Sequence, residues 1–536
     1  MKKCRLPIGV QTFREIRGVD SGEMDSGCVG SYYVDKTPWI ERMVDEGKYF
    51  FLSRPRRFGK SLLVDTIKEL FEGNEPLFRG LAIHDRWDWP VRHPVVKLSF
   101  GSGVFTESGE LQASVSEQFT EIEGNAGIAP SYETAAGRFQ SVLRDLHRKT
   151  GRRVVVLVDE YDKPILDPLF SRQPDNNSNP IESKTARANR DFLRGFYAAV
   201  KDADAHIRFG FFTGVSKFSK VSLFSGLNIL NDITLDRRYG AICGYTESDL
   251  DTVFASELVG LDREQIRQWY NGYCWTGNER VYNPFGVLML FDKRRFGAWW
   301  FETGSPAFLV EALFRRRIVS AELDRIVTSE DLLSAFDVDH ITTEALLFQT
   351  GYLTIDSEVP VGVRAQYRLT YPNLEVRQSL NDHMLRRLDP STARVYENQS
   401  RLHELLETNN IAGLERLFHA FFAGVPHQWH INNNIARYEG YYASVFYSYF
   451  AALGLDVVVE ESTSSGRLDM AVRVGGHVYI FEFKVIEQSN PGAALAQLKQ
   501  HRYADRYRAD NTQVHLIGVE FSSTDRNIQR FETETC

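Results

Sequence analysis

The chain has 536 residues, 43% of them hydrophobic and 25% charged, with a formal net charge of −8. That length exceeds what one hydrophobic core organises, so several domains are expected. The composition excludes a disordered or fibrous chain, and the acidic balance excludes a protein coated in basic surface while leaving room for a local basic groove. The start, MKKCRLPIGV, has no apolar stretch and predicts no signal peptide. No apolar run reaches the roughly 18 residues of a membrane-spanning helix, so no membrane contact is expected. Cys4, Cys28, Cys243, Cys274 and Cys536 lack paired metal spacing. They predict a reducing cytoplasm, with neither a disulfide scaffold nor a zinc site.

Four regions follow in chain order. Residues 1–235 alternate short apolar runs with helical patterns, the signature of a parallel α/β sheet. Residues 236–395 read as mostly helical, 396–424 as a helical linker, and 425–536 as strands and helices again. In the first region YFFL reads as a buried strand and SLLVDTIKELF as an amphipathic helix. Between them RPRRFGKS follows the phosphate-loop pattern G-x-x-x-x-G-K-[ST] except at its first position, where Arg54 stands. The helix start predicts an ATP site built from Arg57, Phe58, Gly59, Lys60, Ser61 and Leu62. Backbone amides would meet phosphate oxygens, Lys60 would reach the β- and γ-phosphates, and Ser61 would ligate Mg²⁺.

VVVLVDEYD is a continuous apolar run ending in carboxylates, as a central parallel strand that opens on a ligand crevice would be. Asp159 is expected to hold Mg²⁺ and Glu160 to act as general base on the attacking water. PVVKLSF and HIRFGFFTGVS fit the same sheet, and Thr213 or Ser216 is a candidate γ-phosphate sensor. Arg237 and Arg238 are candidate arginine fingers, and the polar stretch 167–185 reads as a surface insertion.

YYVDKTPWI, SRPRRFGKSLL, VVVLVDEYDKPI, TGVSKFSKVSLFSGLN, WYNGYCW and VYNPFGVL together resemble the bacterial AAA-ATPase-like family. Its members often carry a C-terminal PD-(D/E)XK nuclease domain. The resemblance implies an ASCE/AAA-like P-loop NTPase domain, makes Arg54 a family feature, and puts Tyr33, Asp35 and Lys36 near the nucleotide pocket. Further on, the tryptophans and tyrosines of REQIRQWYNGYCWTG read as core. TTEALLFQTGYLTI, QYRLTYPN and EVRQSLNDHML give helix, strand, strand, helix, a winged-helix-like element. Arg315, Arg316 and Arg317 form a basic run nearby, and His427 and His430 lack further ligands, so no metal is expected there.

Near the C-terminus, GRLDMAVRVGGHVYIFEFKV holds two alternating runs joined by Gly475 and Gly476. A two-residue turn there sets Val474 opposite His477 and Asp469 opposite Glu482, with Lys484 on the same side. Tyr479, Phe481, Phe483 and Val485 form the other, core-facing side. Two opposed carboxylates destabilise a hairpin unless something offsets them. A shared proton, a divalent cation, or neutralisation by Arg467 or Lys484 would each do so.

The pattern D-x12-E-F-K matches the catalytic core of the PD-(D/E)XK nuclease superfamily. This second resemblance implies a restriction-endonuclease-like α/β domain in which Asp469, Glu482 and the additional acid Glu439 hold Mg²⁺. It gives Lys484 the task of orienting or deprotonating water, and matches Gln497 with Tyr503 to a glutamine–tyrosine helix made basic by Lys499, Arg502, Arg506 and Arg508. The expected function is ATP binding and hydrolysis coupled to Mg²⁺-dependent cleavage of nucleic acid, DNA foremost, in defence or mobile-element processing. A homo-oligomer or a regulatory protein partner is compatible with this. The competing expectation is a nucleotide-switched DNA- or protein-binding module with a silent nuclease fold. A DNA-translocating motor fits less well, because helicase-type motifs are absent from the sequence.

Overall fold

The computed structural model describes residues 4–18, 30–170, 184–217, 230–275, 279–301, 309–310, 313, 323, 326–333, 336–337, 340–361, 364–388, 391–424, 439–463, 466–507 and 513–536. The chain folds as two compact units: Met1–Gly304 with Ile326–Asn373, and Ser305–Arg325 with Leu374–Cys536. Residues 236–301 and the winged-helix-like segment thus group with the N-terminal sheet. The helices from Leu374 to Gly424 group with the C-terminal one.

The first unit is built on five parallel strands: β1 (Tyr49–Ser53), β2 (Val95–Ser99), β3 (Val154–Asp159), β4 (Ile207–Gly214) and β5 (Asn231–Asp232). Their order is β2-β3-β4-β1-β5. Every residue of β1 and β3 is buried, which is why both read as unbroken apolar runs rather than alternating ones. β4 is inserted between the phosphate-loop strand β1 and the acid-bearing strand β3, the ASCE arrangement expected from the resemblance. Because all strands run the same way, the ends of β1 to β4 open on one crevice. Helix Lys60–Phe71 leaves that edge from Gly59, whose φ of 90° suits glycine, and buries Leu63, Val64, Ile67, Leu70 and Phe71 along one stripe.

Residues 326–373 hold β6 (Val327–Ser329), a short ladder of β7 (Phe336–Asp337) with β8 (His340–Ile341), helix Thr343–Thr350, β9 (Thr354–Val361) and β10 (Arg364–Thr370), whereas the last helix expected of the winged-helix-like element, Leu374–Leu388, groups with the second unit. The sheet within 326–373 has the antiparallel order β6-β10-β9. Thr342 caps the helix by accepting the Ala345 N–H. Thr343, Ala345, Leu346, Leu347, Phe348 and Gln349 are all buried, so this helix is a docked one.

The second unit holds β11 (Asp456–Thr463), β12 (Gly466–Val474), β13 (His477–Val485), β14 (Gln513–Ser522) and β15 (Asn527–Thr535), paired in that order. Only β13 and β14 run parallel. Gly475 and Gly476 have φ of 56° and 80°, the two-residue turn that the sequence requires. One face of the sheet packs Met470, Val472, Tyr479, Phe481, Phe483, Ile517, Val519 and Phe521 against Phe418, Phe422, Phe446 and Phe450 from two of the helices Leu374–Leu388, Thr392–Glu407, Ile411–Gly424 and Glu439–Ala452. The other face sets Ala471, Val478, Ile480, Val514 and Leu516 against Leu498, Tyr503, Ala504 and Tyr507.

Among the described residues no helix is long and apolar enough to cross a membrane. Cys243, Cys274 and Cys536 are free thiols, whereas Cys4 is disulfide-bonded, which departs from the expectation of five reduced cysteines. Arg315, Arg316, Arg317, His427, His430, Arg508, and most of the polar stretch (171–183) lie outside the described residues.

Candidate nucleotide pocket and nuclease-like centre

Arg54, where the phosphate-loop pattern has its first glycine, is wholly buried. Its side chain turns away from the loop. Nη1 donates to the carbonyls of Ser53 (2.8 Å) and Thr234 (2.9 Å), Nη2 donates to Tyr239 O (3.2 Å), and the guanidinium stacks 4.1 Å from the Trp275 ring. Only the backbone of Arg54 shapes the loop, and its carbonyl, with that of Pro55, accepts the Lys60 ammonium at 2.9 Å each. Arg57 has φ of 65°, and its guanidinium lies 5.2 Å from the Phe285 ring. The Trp300 indole donates to Arg56 O at 2.9 Å. The Phe58 side chain points into the core against Tyr273 and Trp275.

A cavity of about 360 Å³ opens beside this loop. It is lined by the phosphate-loop residues Arg56, Arg57, Gly59, Lys60, Ser61 and Leu62, by the apolar group Pro7, Ile16, Tyr245, Pro284, Phe285 and Leu288, and by Glu160 and Asp162 with Lys163. A smaller adjoining cleft is lined by Tyr33, Lys36, Phe58 and Cys243. Asp35 instead accepts from Thr37 and from the Ala82 N–H. Burial lowers the Lys60 pKa, against the pull of Asp159 and Glu160. Burial first, and then Asp159, raises that of Glu160.

Asp159 is buried and accepts the Glu160 N–H at 3.0 Å, so the cavity wall is formed by Glu160 and Asp162. Asp162, for which the sequence pattern suggests no role, accepts from Ser216 N and Ser216 Oγ at 2.6 Å each and from Val215 N at 3.1 Å. The two candidate sensors are therefore corrected. Ser216 is held by Asp162, and the Thr213 hydroxyl donates to Leu52 O at 2.8 Å inside the sheet. The candidate fingers are engaged too: Arg237 pairs with Glu358 at 2.6 Å, and Arg238 with Asp236 and Glu46.

In the second unit the hairpin register is as expected from Val474–His477 through Met470–Phe481. Alternation then puts Asp469, Glu482 and Lys484 at the polar end of the face that carries Ala471, Val478 and Ile480. Phe483 N donates to Asp469 Oδ2 at 2.9 Å, and Lys484 Nζ to Glu482 Oε1 at 3.1 Å. Tyr503 reaches the same place. It bonds to the Gln497 side chain, and burial raises its pKa, with Glu482 and Asp469 adding to the rise and Lys484 opposing it. Neutralisation by Lys484 is thus realised for Glu482. The helix Ala493–Gln500 crosses closely here, because Gly518 leaves room for the Leu495 backbone: a Cβ at 518 would lie 2.4 Å from Leu495 N. Glu520 on β14 accepts the Ala494 N–H at 3.2 Å. The expected basic character of that helix is reduced, since Lys499 pairs with Glu534. Glu439 begins the helix Glu439–Ala452, and its side chain lies outside the described ones.

Among the described residues no three His, Cys, Asp or Glu side chains cluster as a metal centre. Two carboxylates on one sheet face at the end of a hairpin nonetheless suit Mg²⁺, which takes one or two carboxylates and fills its octahedron with water and phosphate oxygens.

A P-loop NTPase unit and a nuclease-like α/β unit thus stand in one chain. Residues 7–224 match the family described as predicted AAA-ATPase, and residues 437–531 match the PD-(D/E)XK nuclease superfamily. An uncharacterized protein in the vnfD 5′ region of Azotobacter chroococcum mcd 1 is 54% identical over 535 residues, covering 100% of both chains. The chain belongs to this AAA-ATPase-like family with a C-terminal PD-(D/E)XK nuclease domain. A solved structure, the Aeropyrum pernix ORC1 protein in complex with DNA, aligns with a TM-score of 0.26 at 11% identity, covering 68% of this chain and 95% of that one. A likeness that low carries no argument.

Proposed function

We propose that the protein binds and hydrolyses ATP in its first unit and cleaves DNA with Mg²⁺ in its second, and that nucleotide occupancy governs cleavage. The observation that supports the nuclease reading best is the shared sheet face of Asp469, Glu482 and Lys484 with Tyr503 beside it. Bound Mg²⁺ supplies a Lewis acid for the scissile phosphate. Asp469 and Glu482 offer hard oxygens to hold it, and Lys484, beside Glu482, would orient or deprotonate the attacking water. Gln497 orients Tyr503.

In the first unit Lys60 and Ser61 face the cavity where phosphates would lie, and Glu160 lines the same cavity to polarise water. Control by nucleotide is supported by how the winged-helix-like element meets the loop. A Cβ at Gly351 would sit 2.7 Å from the Pro55 ring, and Gln349 accepts the Lys217 N–H at 2.8 Å just beyond β4. The chain leaves that element at Asn373 for the second unit.

The test is incubation of the purified chain with supercoiled plasmid and Mg²⁺, with and without ATP. Asp469→Ala is expected to bind ATP and leave the plasmid intact. Lys60→Ala is expected to lose ATP binding while retaining metal-dependent nicking that no longer responds to ATP. Nicking that persists in the Asp469 variant would overturn the nuclease assignment. Plasmid binding without cleavage by the wild type would favour the nucleotide-switched binding module.

A further inference from the structure

We propose that Lys163 is the residue by which the pocket tells a nucleoside triphosphate from a diphosphate. The proposal deepens the nucleotide reading of the cavity and rests on it. Lys163 is the first residue of helix Lys163–Phe170 and stands on the cavity wall with Glu160 and Gly101. Two strand spacings, about 10 Å, separate β3 from the phosphate-loop strand β1, because β4 runs between them. The cavity's apolar lining, with Pro7, Tyr245 and Phe285, suits a base. A phosphate chain running from there past Lys60 reaches Glu160 and Lys163 only at its terminal group.

That terminal phosphate meets carboxylates. Glu160 and Asp162 both face the cavity, and Asp159 lies behind them. Lys60 is held on the β1 side by the carbonyls of Arg54 and Pro55. Arg56 and Arg57 belong to the loop itself, on the same side. On the acidic side Lys163 is the cation that lines the wall, and its charge opposes the raised pKa of Glu160.

The partners that the Lys163 ammonium has within the chain are weak ones. It donates to Gly103 O and to Asp167 Oδ2 (3.0 Å), and lies 5.3 Å from the Phe105 ring. Both members of the Lys163–Asp167 pair are partly exposed, with side chains 22% and 19% accessible. A pair of that kind is worth little, so a γ-phosphate outcompetes it through a charge-assisted hydrogen bond. The exchange also releases Gly103 O, which gives the segment after β2 a reason to respond to triphosphate alone.

The experiment is calorimetric titration of the full chain with ADP and with ATPγS in Mg²⁺ buffer. Lys163→Met is expected to weaken ATPγS about tenfold, equivalent to about 1.4 kcal/mol, and to leave ADP within about twofold. Lys163→Arg should keep the preference, because a guanidinium also meets phosphate. Asp167→Asn removes the competing carboxylate and should strengthen ATPγS alone, an effect of opposite sign that loss of folding cannot produce. Parallel weakening of both nucleotides by Lys163→Met, or an unchanged ratio, overturns the proposal while leaving the pocket reading intact. If the wild type binds neither nucleotide, the pocket reading itself fails, and this proposal with it.

Discussion

The main-chain N–H of Phe483 donates to the carboxylate of Asp469 at 2.9 Å. The ladder between the two strands ends at Met470–Phe481, and the Asp469 carboxylate just beyond it is a structural acceptor for the neighbouring strand as well as a candidate metal ligand, two roles that are separable. Asp469→Asn keeps an oxygen for the Phe483 amide and should change stability by less than about 1 kcal/mol, whereas Asp469→Ala removes that acceptor and should cost about 1–3 kcal/mol. Both are expected to stop plasmid nicking. Denaturant melts beside the plasmid assay check this; an Asn variant that still nicks would argue against a metal-holding charge at 469.

Lys484 and Glu482 form a second separable pair. The Glu482 side chain is 1% accessible and that of Lys484 18%. Removing one partner of such a pair is more damaging than removing both. Lys484→Met should lower stability by about 3 kcal/mol, and adding Glu482→Gln should recover most of it, since the remaining groups are then uncharged. Neither protein should nick. If the two substitutions simply add in their effect on the melting transition, the pair has no coupling and the assignment of Lys484 as the counter-charge fails.

Much of this was legible in the sequence, for physical reasons that also mark where reading stopped. The strands β1 and β3 announce themselves because both faces are buried, and the register of β12 with β13 follows from one glycine pair. Local pattern carries such information. It does not carry side-chain direction when the partners are distant in the chain. Arg54 looks like a lost glycine until Thr234, Tyr239 and Trp275 are brought beneath it. Thr213 and Ser216 look ligand-facing because small polar residues end a strand, yet one serves Leu52 and the other Asp162. Asp162 and Lys163 belong to the same VVVLVDEYDKPI stretch but follow a more conspicuous acidic pair, and spacing alone assigns them no role. Only the helical start at Lys163 brings both to the cavity.

Glu160 offers a test with a definite sign. Burial first, and Asp159 second, raise its pKa. The folded state then holds the proton more tightly than the unfolded chain does. Its contribution to stability is present below the unfolded value, about 4.3 for glutamate, and is lost as pH rises through the folded pKa. Glutamine cannot ionise, so Glu160→Gln should melt above the wild type at neutral pH without nucleotide. The gap should close on acidification to about pH 4. The same variant should bind ATP and fail to turn it over, if Glu160 polarises the water. Melting curves across this range decide the first point; a Gln variant less stable at pH 7 would contradict the electrostatic account.

Arg54 yields the least intuitive expectation, because restoring the glycine of the phosphate-loop pattern should harm the protein. The guanidinium is fully buried, donates to three carbonyls and stacks on Trp275. Burial pulls its pKa down to about 10, with Cys243, Asp232 and Cys274 opposing the shift, so it remains charged at neutral pH. Arg54→Gly would leave those carbonyls without their donor, open a cavity under the loop and free its backbone. Together these should cost about 3–5 kcal/mol. Arg54→Lys should rescue little, since one ammonium cannot reproduce a planar fork or the stacking. ATPγS affinity should fall with the Gly variant, because the Arg54 and Pro55 carbonyls that hold Lys60 lose their support. Thermal melts and ATPγS titration of both variants test the point. A Gly variant that melts as high as the wild type and binds ATPγS more tightly would mean that the arginine is a decayed glycine and not a beam beneath the loop.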